Sequence, residues 1–105
     1  MALTTTLDFN TVMKDYLKAP YERIICRTGS VSIQAGPALY STPRTLHGPY
    51  THAEAGFPVG VVPVSWKPFK RNDTVYANLP FKLVWQFIKL NGGFIAGELP
   101  HHELL

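Results

Sequence analysis

Hydrophobic and polar residues alternate through 22–34. Glu22-Arg23-Ile24-Ile25-Cys26-Arg27 is followed by Thr28-Gly29 and then by Ser30-Val31-Ser32-Ile33-Gln34. A two-residue connection ending in Gly predicts a tight β-hairpin. That register pairs Arg27 with Ser30, Cys26 with Val31, Ile25 with Ser32, Ile24 with Ile33 and Arg23 with Gln34. Side chains alternate across a strand. Ile24, Cys26, Val31 and Ile33 therefore share an apolar face. Arg23, Ile25, Arg27, Ser30, Ser32 and Gln34 share a polar, cationic one.

Two stretches have helical periodicity instead. Phe9, Val12, Met13, Tyr16 and Leu17 make one apolar stripe over Phe9–Lys18. Asp8 supplies an N-cap, Leu7 and Val12 a hydrophobic staple, and Pro20 a stop. The second helix spans 80–90, with Pro80 in its first turn and Asn91-Gly92-Gly93 at its end. Phe81, Val84, Trp85 and Ile88 form its main stripe, which predicts a largely buried Trp85. Leu83, Phe87 and Leu90 form another, leaving only Lys82, Gln86 and Lys89 polar. So apolar a helix predicts a homodimer that buries part of the second stripe.

Between these elements, Gly and Pro punctuate a long loop over 36–49, which contains Tyr40-Ser41-Thr42-Pro43-Arg44. Tyr50-Thr51-His52-Ala53-Glu54-Ala55 alternates again. Tyr50, His52 and Glu54 are expected on the open face, and Thr51, Ala53 and Ala55 beneath a helix. Phe57 to Trp66 carries Pro58 and Pro63 and reads as an edge strand or ordered loop. Thr74–Ala77 and Phe94–Ala96 read as short strands, and residues 98–105 as a mobile tail. The fold class is α+β: a mainly antiparallel sheet of three to five strands with two helices packed on one face.

The 105 residues form a single domain. The single cysteine excludes an internal disulfide framework, and Cys26 falls on the apolar face as an inert thiol. The N-terminal residues lack the basic start and apolar core of a secretory signal. No run approaches the ~18 apolar residues of a membrane span. A cytoplasmic location is expected. The net charge of +3 is too small to mark a nucleic-acid binder by itself. One dense basic patch exists, Trp66, Lys67, Lys70 and Arg71, where interleaved aromatics could stack bases.

No phosphate loop, zinc-type cysteine pair or nucleophile elbow is present, and no cofactor is expected. His101, His102 and Glu103 are too closely spaced at a chain end to preform a metal site. The candidate binding residues are Arg23, Arg27, Gln34, Tyr40, Arg44, Tyr50, His52 and Glu54. On one strand face, Glu54 could orient His52, and Arg44 could hold an anion. No nucleophile accompanies them, Ser41 being the only local hydroxyl with any claim.

Ser32-Ile33-Gln34-Ala35, Tyr40-Ser41-Thr42-Pro43-Arg44, Tyr50-Thr51-His52-Ala53-Glu54-Ala55-Gly56-Phe57-Pro58, Leu79-Pro80 and Asn91-Gly92-Gly93 together resemble small accessory proteins encoded by bacteriophages and prophages. The resemblance implies a setting inside a bacterial host, and a function of binding and modulating a host protein or defence complex. It implies no catalytic residue. The expected function is protein binding through the open sheet face and the 36–49 loop. One alternative is an enzyme or sequestering protein for a phosphate- or nucleotide-like anion at His52, Glu54 and Arg44. Another is nucleic-acid binding at Lys67, Lys70 and Arg71.

Overall fold

The computed structural model describes residues 20–104. The helix expected over Phe9–Lys18 lies outside the described residues. Five strands, β1 (Ile24–Cys26), β2 (Ser30–Gln34), β3 (His52–Val59), β4 (Val75–Pro80) and β5 (Phe94–Ala96), form one antiparallel sheet in the order β4-β3-β2-β1-β5. A 3-10 helix, Val64–Phe69, precedes β4, and an α-helix, α1 (Phe81–Leu90), follows it. This is the expected α+β class. No helix among the described residues is long and apolar enough to cross a membrane.

Strand β4 passes straight into α1. Pro80 is the helix N-cap at φ −57° rather than a first-turn residue, and its ring presets that angle. Phe81, Val84, Phe87 and Ile88 are buried. They join a core with Ile24, Val31, Ile33, Ala53, Ala55 and Leu79 from the inner sheet face. Ala53 and Ala55 are fully buried, as expected of small residues on a helix-covered face. Trp66 anchors the 3-10 helix in the same core. It stacks on Phe87 at 5.1 Å, meets Tyr76 edge-on at 5.2 Å, and donates its indole N–H to the Leu83 carbonyl at 2.9 Å.

The hairpin keeps its predicted faces but not its predicted register. Ile24 pairs with Val31 and Ile25 with Ser30. Cys26 donates its amide to the Gly29 carbonyl at 2.7 Å, so these two residues close the hairpin and Arg27 and Thr28 form its turn in place of Thr28 and Gly29. A slip of two residues preserves which side chains face the core, because the strand period is two.

Three other expectations are corrected. Tyr50 is fully buried, because β3 begins only at His52 and the tyrosine turns into the core, its hydroxyl donating to the Thr45 carbonyl at 2.8 Å. Trp85 is 37% exposed, because Phe87 rather than Trp85 completes the buried stripe. The segment expected to be a mobile tail is packed through residue 103. Glu98 donates its amide to the Glu22 carbonyl, and Glu103 donates to the carbonyl of Tyr50, whose own amide donates to His101.

Candidate functional site on the outer sheet face

Cross-strand pairing places Ala96, Ile25, Ser30 and Val59 in one row across β5, β1, β2 and β3. Ile25 lies between the buried Ile24 and Cys26, so the row belongs to the face opposite the core. Its two large apolar members stay in solvent, Ile25 at 40% and Val59 at 60% exposure. Hydrophobic burial is worth roughly 25 cal/mol per Å², so such a row is a sticky strip.

The register between β2 and β3 shifts between Ser30 and Ser32, which makes a bulge at Phe57 and Pro58. Proline cannot donate to a sheet ladder, and Pro58 was the sequence signal for this irregularity. Phe57 takes a left-handed conformation, φ +51°, and is 59% exposed. Such a conformation costs a bulky residue roughly 1–2 kcal/mol. Hydrogen bonds from both sides hold it: the Phe57 amide donates to the Thr74 carbonyl at 2.7 Å, and the Arg23 guanidinium donates to the Phe57 carbonyl. Arg23 also donates to Ser30 Oγ at 3.0 Å. The arginine therefore spans β1 to β3 and fixes the bulge.

The remaining expected site residues separate by role. Gln34 hydrogen-bonds the backbone of Tyr21 in both directions, at 2.7 and 2.8 Å, and so continues the sheet beyond β1. Glu54, its cross-strand partner, accepts the Tyr40 amide at 3.1 Å and ties the 36–49 loop to β3. His52 Nδ1 lies 2.7 Å from Thr51 Oγ1. Among the described residues no hydrogen bond or ion pair joins His52, Glu54 and Arg44, and Arg44 stands exposed in its loop. Ser41 is buried, and its hydroxyl accepts the Gly36 amide at 3.1 Å and has the carbonyls of Gly36 and Pro43 within reach of its one proton. The Tyr40 ring lies 5.3 Å from the Arg71 guanidinium. Arg27 is exposed in the hairpin turn.

Trp66 is fully buried, so it offers no platform for a base, and the stacking element of the basic patch is corrected accordingly. Lys67, Lys70 and Arg71 remain exposed around it. His102 is engaged through both ring nitrogens, with the Pro100 carbonyl and with Trp85. Cys26 is buried, and burial pushes its thiol pKa up, away from the thiolate that a nucleophile or metal ligand requires. Phe57 and Val59 are functional candidates that the alternation of the sequence does not mark. Period two alone cannot reveal a bulge that holds an aromatic ring in solvent.

No family model matches the chain, and comparisons with curated proteins and with solved structures found no similar protein.

Proposed function

We propose that this protein is a binding module that engages another protein through its outer sheet face. The observation that carries the reading is the exposed Phe57, held in a left-handed bulge by Arg23 and Thr74 beside the apolar row of Ile25 and Val59. Preorganised aromatic and apolar anchors with a polar surround are typical of interface hot spots. Strain retained at an exposed position is characteristic of a working site. Arg27 and the net charge of +3 favour a partner with an apolar segment flanked by acidic residues. The resemblance to phage accessory proteins gives that partner a setting, a host protein or defence complex in the bacterial cytoplasm. The hydrogen bonds at Glu54 and His52 are those of a loop anchor and a strand end, so catalysis at these residues has less support.

The test is affinity capture from bacterial extract, comparing the wild-type chain with Phe57→Ser and Val59→Asp. Both variants are expected to keep the wild-type melting temperature within a few degrees and to lose the same specific partner. A captured set unchanged in both variants would place the working surface elsewhere.

A further inference from the structure

A cavity of about 270 Å³ opens between the 3-10 helix and β4, lined by Val62, Pro63, Val64, Lys67, Lys70 and Tyr76. In a 3-10 helix, side chains three residues apart eclipse one another. Val64 and Lys67 therefore form one ridge, continued by Lys70, whose amide donates to the Lys67 carbonyl at 3.2 Å. The backbone of Lys70 also bridges Tyr76 in β4, which joins the ridge to that strand beside the cavity.

The ridge is held rigidly from below. Trp66, the neighbour of Lys67, is locked between Phe87 and Tyr76 and bonded to the Leu83 carbonyl. The lysine stems thus rise from a fixed base. Among the described residues no acidic side chain lines the cavity and neither lysine forms an ion pair. Two uncompensated ammonium groups on one ridge define a place for negative charge. The rest of the lining is a proline, two valines and a tyrosine, and Val64 stands 84% exposed at the rim. That surface suits a flat apolar body. A space of this size is at the small end of ligand pockets, about 300–1,000 Å³, and admits one ring with one anionic group.

We propose that this cavity binds a small aryl anion, with its phosphate or carboxylate on Lys67 and Lys70 and its ring against Val64, Pro63 and Tyr76. The inference is independent of the outer sheet face.

The probe is phenyl phosphate, titrated into the full chain while backbone amide resonances are followed by NMR. Saturable shifts are expected at Val64, Lys67, Lys70 and Tyr76. Inorganic phosphate and benzyl alcohol, each carrying half of the recognition, are expected to bind more weakly than phenyl phosphate. Lys67→Gln with Lys70→Gln should weaken phenyl phosphate binding about tenfold or more, since charge-assisted bonds are lost. Val64→Ser should weaken phenyl phosphate but not inorganic phosphate. Both lysines and Val64 are exposed, so melting temperatures should not change. Shifts located elsewhere, or affinity unaltered by the double lysine substitution, would overturn the proposal. So would a single-stranded oligonucleotide binding far more tightly than phenyl phosphate, which would assign the lysines to nucleic acid instead.

Discussion

Trp85 donates its indole N–H to Nε2 of His102 at 3.0 Å, and this bond docks the C-terminal segment against α1. His102 Nδ1 lies 2.8 Å from the Pro100 carbonyl, an acceptor only, so Nδ1 carries the proton and Nε2 supplies the lone pair. The same imidazole stacks on Phe81, with centroids 4.2 Å apart and planes within 9°. A helix position that period alone would bury is thus finished by a residue seventeen places downstream.

Trp85→Phe retains much of the apolar contact and removes the donor. The expected loss is about 0.5–1.5 kcal/mol, the usual net worth of one such bond. A loss well above that range would instead show that packing of the indole, and not its hydrogen bond, sets the cost. Urea denaturation measures the difference. Hydrogen exchange at the amides of Tyr50 and Glu103, both bonded between the segment and the body, should quicken in the variant.

Asn91 is fully buried just past α1. Its side chain accepts the Val61 amide at 3.0 Å and donates to the carbonyls of Val61 and Phe87, each at 2.9 Å. Asn91→Ala removes all three bonds, and about 1–3 kcal/mol of destabilisation is expected. Asn91→Asp should be at least as damaging at neutral pH, because it turns a carboxylate oxygen toward two carbonyls. Chemical denaturation of both variants tests the order.

Phe57→Gly relieves the left-handed conformation. Apart from the greater freedom of glycine in the unfolded chain, this should leave the melting temperature level or slightly raised. Partner binding should be lost at the same time. A large fall in melting temperature would show that the ring stabilises the fold and is not reserved for a partner.

Cys26 should resist alkylation in the native state and react quickly only when the chain unfolds. Burial raises its pKa above the ordinary value of 9.0, so the folded state holds the proton more tightly than the unfolded state. Its contribution to stability is then complete below pH 9.0 and is lost as pH rises from there toward the folded value. Cys26→Ala should flatten that alkaline decline, read as midpoint against pH in urea.

Local patterning was legible and long-range closure was not. The apolar set Ile24, Cys26, Val31 and Ile33 follows from alternation, and it survives a register slip that exchanges none of them between faces. The bounds of α1 follow from its periodicity, with Pro80 before it and Asn91-Gly92 after it. Tyr50 was misplaced because the alternation of 50–55 extends beyond the strand that uses it. Arg23 and Glu54 were legible as outer-face residues, whereas their partners, the Phe57 carbonyl and the Tyr40 amide, are set by a bulge and a long loop. The cavity at Lys67 and Lys70 combines the basic patch with Val62, Pro63 and Tyr76, whose convergence depends on Trp66 entering the core.

Asn91 also restricts two distant glycines. A Cβ on Gly29 would come within 2.7 Å of its Oδ1, and Gly60, at φ +113°, would place one against the same atom. The consequence concerns inheritance. Three positions far apart in the chain share one small space, so a change at any of them alters what the other two tolerate. In descendants of this sequence the two glycines and the asparagine should persist together, or be replaced together in compensating steps.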